Sequence, residues 1–222
     1  MHQASIFLVD DHPLVRRGLS QLIDGEPEFS VCGEAATAQE ARKLLSKITP
    51  DLAIIDLSLP DGNGMRLIKH LLAVNPELTI LISSMHDESM YAERVLKAGA
   101  RGYISKSATG DEVIAAIKKV LNGNKYVSRK VSQLLSRKDS RPQQATDLSP
   151  VQQLSNRELE VFEYIGRGLG TGDIASKLKL SIKTVESHRA NIKRKLELDT
   201  AGELVRSAIQ WSLEEANQLD DS

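Results

Sequence analysis

The segment that decides the fold is LAIIDLSLPDG, residues 52–62. An apolar run ends at the carboxylate of Asp56 and is followed by a turn that contains proline and glycine. This pattern is typical of a buried β-strand that delivers an acidic side chain to the end of a sheet. A second apolar run, residues 5–9, ends in the same way at Asp10 and Asp11. If the two strands are parallel neighbours, three carboxylates meet at the sheet edge where open α/β sheets bind ligands.

Such a cluster of acids predicts a metal site. Carboxylates repel one another unless a cation lies among them, and oxygen ligands of this kind suit Mg²⁺ or another divalent cation. Ser84 closes a later apolar run and Lys106 follows the next one, so a hydroxyl and an ammonium reach the same edge. Together with a cation, these groups can hold a phosphoryl group.

The order of the apolar segments predicts the fold of the first 125 residues. Strands are expected at residues 5–9, 29–33, 52–56, 79–83 and 101–105, and helices at 13–24, 38–47, 65–74, 90–98 and 111–122. Parallel strands need helical crossovers, which are right-handed. The pattern therefore predicts an α/β domain of the flavodoxin-like, doubly wound type, with a five-stranded parallel sheet.

The rest of the chain divides into a connecting segment and a second domain. Residues 126–153 are expected to hold a short helix, at 130–136, and a linker without apolar periodicity. Residues 154–222 are expected to form a small all-α domain of four helices. The first begins at a capping box of Ser155 and Glu158, and the others are expected at 171–178, 181–196 and 200–213.

Composition narrows the function classes. The net charge is only -1, but basic residues gather between Lys177 and Lys195, which indicates an end that faces nucleic acid. The single cysteine, Cys32, excludes a disulfide framework. Without a signal peptide or an apolar run near the roughly 18 residues of a membrane span, we expect a cytoplasmic protein with no membrane partner.

The first domain closely resembles the receiver domain of bacterial two-component response regulators. The resemblance covers roughly residues 4–124, and its motifs lie in order along the chain at predicted strand ends and the turns that follow them. They are Asp10-Asp11, Asp56 followed by Pro60, Gly64, Ser84, and Lys106 behind Tyr103.

This resemblance implies a role for each matched residue. Asp56 would accept a phosphoryl group from a sensor histidine kinase. Ser84 and Lys106 would contact the phosphoryl oxygens, and Tyr103 would be an aromatic switch that turns inward on activation. The implied metal ligands are Asp10, Asp11, Asp56 and the backbone carbonyl of Ser58.

Two positions beside these motifs, Ser107 and His86, bear on the properties of the pocket. Many receivers have proline after the lysine, whereas this chain has Ser107. A cis bond is costlier without proline, and the isomer of the Lys106–Ser107 bond stays open. His86 follows Ser84 by two residues, and at most we expect it to tune the lifetime of a phosphoryl group.

Residues 154–211 resemble the LuxR-type helix-turn-helix of the NarL/FixJ family of response regulators. The matching residues are Leu154-Ser155-Asn156-Arg157-Glu158, Gly168, Ile174-Ala175, Leu178, Ser181, Thr184-Val185-Glu186-Ser187-His188, Asn191-Ile192 and Lys195-Leu196. The helix at 181–196 has an apolar stripe on one side and a small, polar outer face, which fits the major groove of DNA.

The resemblance assigns the DNA contacts to that outer face. Lys183, Thr184 and Arg194 are the candidates for contacts with phosphates. Base reading is expected from Glu186, Ser187 and Ala190. Glu186 departs from the lysine common at this position; a glutamate can accept from cytosine, or it can be only a solvent-exposed acid near a helix N-terminus.

The last helix presents an apolar stripe that could pair two copies of the chain. Leu204, Val205 and Ala208 are the residues expected at this dimer contact. We therefore expect a homodimer when the protein is activated, with double-stranded DNA and a cognate sensor kinase as the other partners.

The sequence favours a phosphorylation-controlled transcription factor that is not an enzyme. Two other classes stay open. A phosphatase with an aspartyl nucleophile could use the same Asp, Lys and Mg²⁺ set, but the usual Asp-x-Asp strand end is absent. A phosphorylation-independent DNA-binding regulator could keep the receiver only as a dimerisation module, but the complete set of pocket residues argues against this class.

Overall fold

A parallel sheet forms the centre of the first domain in a computed structural model that describes residues 3–139 and 150–220. Its strands lie in the order β2-β1-β3-β6-β7, and β4 and β5 pair as a separate antiparallel hairpin. The strands are β1 (Ala4–Val9), β2 (Phe29–Ala35), β3 (Leu52–Ile55), β4 (Ser58–Leu59), β5 (Gly62–Asn63), β6 (Thr79–Ser84) and β7 (Gly102–Ser105). This is the strand order of flavodoxin-like folds, and the predicted five-stranded parallel sheet is confirmed.

Helices alternate with the strands in the predicted order, and two helices follow the last strand. They are α1 (Pro13–Asp24), α2 (Ala38–Leu45), α3 (Gly64–Val74), α4 (Glu88–Lys97), α5 (Gly110–Leu121) and α6 (Arg129–Asp139). Local chemistry explains several of their starts. Pro13 opens α1, Thr37 caps α2, Asp87 caps α4, and Thr109 forms a capping box with Glu112 at α5.

The register of the sheet sets the positions of the functional side chains. Val9 of β1 lies opposite Ile55 of β3, so Asp10 and Asp56 leave the sheet side by side, and the Asp56 N–H donates to the Val9 carbonyl at 2.8 Å. At the other side of β3, the Lys106 N–H donates to the Ser84 carbonyl at 2.9 Å. The apolar strands therefore bring the polar residues to one edge.

The segment after α5 belongs to the first of two compact units, Met1–Pro142 and Gln143–Ser222. We expected residues 126–153 to connect the domains. Tyr126 instead forms a parallel bridge with Gly102 at the free side of β7, and α6 packs against α4. The part of the expected linker at 140–149 lies outside the described residues.

The second unit is all helical. A 3₁₀ turn (Pro150–Gln153) precedes α7 (Asn156–Gly166), α8 (Thr171–Lys177), α9 (Ile182–Lys195) and α10 (Ala201–Asp220). Its core is apolar and centres on α7; the buried residues include Leu159, Phe162, Ile174, Val185, Ile192 and Leu204. Among the described helices of the whole chain, none is long and apolar enough to cross a membrane.

Candidate functional site

Three aspartates and a histidine converge at the carboxyl edge of the sheet. Ligand atoms of Asp10, Asp11, His12 and Asp56 all lie within 4.8 Å of one another. Asp10 and Asp56 are buried, and the ring Nδ1 of His12 lies 3.1 Å from Asp10 and 2.9 Å from Asp11. Carboxylate oxygens are the ligands that Mg²⁺ prefers, so the donor set fits the predicted divalent cation.

Lys106 joins the two buried aspartates. Its ammonium lies 2.6 Å from a carboxylate oxygen of Asp10 and 2.8 Å from one of Asp56. Burial raises the pKa of Asp56 above its ordinary value, although the charge of Lys106 opposes that shift. Burial alone would lower the pKa of Lys106, but Asp56 and Asp10 outweigh it and the pKa is raised. The lysine therefore stays charged in the pocket.

A glycine permits the close packing around Asp56. A Cβ atom at Gly64 would lie 2.5 Å from the Asp56 carbonyl oxygen and 2.8 Å from the Cα of Leu57. Any larger residue would push α3 away from the end of β3. The glycine at this position is thus a steric requirement of the pocket.

The remaining predicted pocket residues lie on three strands: Ser84 ends β6, Ser58 begins β4, and Tyr103 lies in β7. Ser84 is fully buried at the end of β6, and its Oγ accepts from the His86 N–H at 3.2 Å. Ser58 donates its N–H to Asp56 at 3.1 Å. Tyr103 is buried, with its hydroxyl donating to the His86 carbonyl at 2.7 Å, so its ring occupies the inward position in this structure.

Three residues near the pocket do more than their sequence positions indicate. His86 Nε2 lies 2.8 Å from Ser58 Oγ, and its ring stacks on Tyr91 of α4. Arg16 of α1 donates to the Asp10 carbonyl at 2.5 Å and to Glu34 at 3.2 Å. His12 contacts both Asp10 and Asp11 through its ring Nδ1. In the sequence, these contacts are indicated only by position: His12 and Arg16 follow shortly after Asp10, and His86 follows shortly after Ser84.

The described residues contain no cis peptide bond, so the Lys106–Ser107 bond, whose isomer the sequence left open, is trans.

The outer face of α9 carries the predicted DNA contacts. Lys183, Glu186, Ser187, Ala190 and Arg194 are exposed, and Thr184 is half-buried beside its cap Ser181. The apolar side of α9 is buried through Val185 and Ile192. The helix therefore presents one polar, partly basic surface while its other side is fixed in the core.

The predicted dimer contact needs correction. Leu204 and Ala208 are 1% and 0% exposed, since they lie on the face of α10 that packs against α7. A residue already buried in its own domain offers no surface to a second copy. Val205 is exposed, and Ile209 and Leu213 continue the exposed apolar row at helical spacing.

Comparison with known families identifies both domains. Residues 6–118 match the response regulator receiver domain, and residues 152–208 match the luxR family of bacterial regulatory proteins.

Whole-chain relatives agree with both matches. The oxygen regulatory protein NreC of Staphylococcus haemolyticus is 37% identical over 212 residues, which cover 94% of this chain and 98% of that protein. Its counterpart in Staphylococcus aureus is 36% identical with the same coverage. A structure of the RcsB response regulator of Salmonella typhimurium has a TM-score of 0.67 and 26% identity, covering 95% of this chain and 98% of that one. The chain belongs to the response regulators that combine a receiver domain with a LuxR-type DNA-binding domain, and it is a transcription regulator rather than an enzyme.

Proposed function

We propose that Asp56 is the phosphoryl acceptor through which a sensor histidine kinase controls DNA binding by the second domain. One observation carries this proposal: Asp56 is buried at the sheet edge, paired with Lys106, and next to Asp10 and Asp11. In the proposed transfer, an Asp56 carboxylate oxygen bonds to phosphorus while the bond from phosphorus to the kinase histidine nitrogen breaks. The products are an aspartyl phosphate and a free histidine.

The pocket residues would divide the work of this transfer. Asp10, Asp11, Asp56 and the backbone carbonyl of Ser58 would hold Mg²⁺ or another divalent cation, which neutralises phosphoryl oxygens when it is bound. The Lys106 ammonium, which pairs with the Asp56 carboxylate, would then pair with an oxygen of the new phosphoryl group. The Ser84 hydroxyl would then donate to a phosphoryl oxygen, and Tyr103 would hold the inward position beside it.

The second domain would bind the major groove of DNA with the outer face of α9. Lys183, Thr184 and Arg194 would contact phosphates, while Ser187, Ala190 and Glu186 would face the bases. Support comes from the exposure of all of these residues except the half-buried Thr184 on one helix whose opposite side is buried. In a solved structure of RcsB, two dimers of that protein are bound to two parallel DNAs. For this chain, we propose that Val205 and its exposed row on α10 form the dimer contact.

The central test changes Asp56 to Asn. The wild-type chain, treated with acetyl phosphate and Mg²⁺, should gain the mass of one phosphoryl group and bind a selected genomic DNA fragment more tightly. The Asp56→Asn variant should gain no mass and show no enhancement, because an amide is a poor nucleophile. Asp111→Asn, an exposed acid at the start of α5, is the matched control and should behave as wild type.

Two results would contradict the proposal. Labelling of the Asp56→Asn variant to the wild-type extent would place the acceptor elsewhere. If the wild-type chain gains no phosphoryl group under these conditions but still binds DNA fully, the phosphorylation-independent regulator would be favoured.

A further inference from the structure

The segment that follows α5 is bound to the edge of the receiver sheet by backbone hydrogen bonds. The Tyr103 N–H donates to the Tyr126 carbonyl at 2.9 Å, and the Tyr126 N–H donates to the Arg101 carbonyl at 3.0 Å. These two bonds make Tyr126 a one-residue extension of the sheet beside β7. The same residue whose ring lies behind the pocket, Tyr103, therefore also holds the start of this segment.

The bonds depend on a close approach at Gly102. A Cβ atom there would lie 2.8 Å from the Tyr126 carbonyl oxygen and 3.1 Å from the Tyr126 Cβ. Because two of the three nearest atoms belong to Tyr126, a side chain at residue 102 would displace this segment.

A carboxylate from α4 anchors the next step of the segment. The Ser128 N–H donates to Glu88 Oε1 at 2.7 Å, and Ser128 Oγ accepts from the Val131 N–H at 3.3 Å. Ser128 thus caps the N-terminus of α6, and Glu88 places a negative charge beside that N-terminus, where the helix dipole favours it. Val131, in the first turn of α6, is 4% exposed. Receiver helix α4 and the N-terminus of α6 are therefore joined by a charge-assisted bond next to an apolar contact.

Glu88 lies two residues along the chain from His86, which bonds to two predicted pocket residues. It is the first residue of α4 and is separated from His86 only by the helix cap, Asp87. The His86 N–H donates to Ser84 Oγ, and the His86 carbonyl accepts from the Tyr103 hydroxyl. A movement of Ser84 toward a phosphoryl group would change the bond that its Oγ accepts from the His86 N–H, two residues from Glu88.

We propose that Glu88 is a positioning residue that holds the N-terminus of α6 on the receiver, and that phosphorylation of the pocket loosens this contact. The inference rests on the proposed function, since it names how that same site passes its state to the segment leading to the DNA-binding domain. It differs from a general release of that domain because it assigns the control to one hydrogen bond, between Glu88 and Ser128.

The test measures amide hydrogen exchange of residues 126–131 in the full-length chain, with and without acetyl phosphate and Mg²⁺. In the wild type, phosphorylation should speed exchange in this segment roughly tenfold, the effect of losing about one charge-assisted hydrogen bond. Glu88→Ala should exchange at the fast rate in both conditions. The matched control is Glu77→Ala, which removes an exposed carboxylate between α3 and β6, and it should behave as wild type.

A second variant disrupts the same segment at its hydrogen bonds to β7. Gly102→Ala should also give fast exchange at residues 126–131 without phosphorylation, because its side chain occupies the space of the Tyr126 carbonyl. Exchange in α5 serves as the internal control, since it should stay slow if the receiver remains folded.

Intact mass, measured on the same samples, distinguishes a failure of the Glu88 contact from a failure of phosphorylation at Asp56. A chain that gains one phosphoryl group while exchange at residues 126–131 stays unchanged would overturn the role of Glu88 and leave the proposed function standing. A chain that gains no mass would overturn the proposed function, and the inference with it. If residues 126–131 of Glu88→Ala exchange at the wild-type rates, the inference is also wrong.

Discussion

His86 links several parts of the pocket through a single residue. Its ring reaches Ser58 on β4 and stacks on Tyr91 of α4, while its backbone bonds to Ser84 and Tyr103. The bond from His86 to Ser58 joins the segment that follows β6 to the segment that follows Asp56 at the end of β3. A phosphoryl group on Asp56 would therefore be covered on this side by the imidazole, which limits the approach of water.

Removal of this cover should shorten the lifetime of the phosphorylated chain. In His86→Ala we expect phosphoryl loss to be roughly tenfold faster, a change in activation free energy comparable to one hydrogen bond. The measurement is the decay of the phosphorylated mass after acetyl phosphate is removed. His70→Ala, an exposed histidine on α3, is the control and should decay at the wild-type rate. If the phosphorylated mass decays equally slowly in both variants, His86 does not protect the phosphoryl group and serves only in packing.

At the residue scale, sequence reasoning finds groups that lie at strand ends. Asp10, Asp56 and Lys106 each follow an apolar run, and parallel strands must bring such positions to one edge. The contacts of His86 and Arg16 could not be predicted in this way. They depend on the path of a loop and on the rotation of a helix, which local patterns leave undetermined.

An ion pair between α7 and α9 fixes α9 in the second domain. Lys195, at the end of α9, lies 2.6 Å from Glu158 in the first turn of α7, and the Glu158 side chain is 7% exposed. Glu158 also accepts from the Ser155 N–H in the capping box. Burial tends to raise the pKa of Glu158, but Lys195 and Ser155 prevail and the pKa is lowered. The ionised form is thus the one that the fold stabilises.

The stability of this domain should consequently fall in acid. A carboxyl group with a lowered pKa in the folded state stabilises the fold above its unfolded pKa, and this stabilisation is lost as the pH falls through the folded pKa. Glu158→Gln should lower the free energy of unfolding by roughly 2 kcal/mol at neutral pH, less than for a fully buried pair because Lys195 is 32% exposed. The variant should also lose stability less steeply between neutral and acid pH.

The fluorescence of Trp211 reports this unfolding within the intact chain. It is the single tryptophan of the sequence, and its ring lies 5.6 Å from that of Phe162 on α7. Urea titrations at several pH values would give the free energies. Glu186→Gln makes the same charge change at an exposed site and should stay within about 0.5 kcal/mol of wild type. Equal losses in the two glutamine variants would show that the ion pair does not stabilise the domain.

Elements with strong periodicity could be predicted, and short or tertiary ones could not. The parallel strands and most helices follow from apolar runs and capping residues. The β4–β5 hairpin has two residues in each strand, too few for an alternating pattern to be recognised. Leu204 and Ala208 belong to the apolar stripe of α10, but periodicity alone does not say which part of a stripe meets its own domain.

At the scale of the whole molecule, the apolar row left exposed on α10 predicts how activated copies assemble. Val205, Ile209 and Leu213 are 36%, 40% and 59% exposed at intervals of four residues. Since a charge on this row would have to be buried when two copies pair, Val205→Asp should reduce the dimer on DNA to one copy per fragment and weaken DNA binding at least tenfold.

Sedimentation of the phosphorylated chain on a selected DNA fragment measures both quantities. Gln210→Asp introduces the same charge at an exposed position on a neighbouring face of α10, and we expect it to bind as two copies. Unchanged Trp211 fluorescence in both variants would show that the domain itself remains folded. Two copies of Val205→Asp at wild-type affinity would mean that the pairing surface lies elsewhere, and the exposed row would then have no part in assembly on DNA.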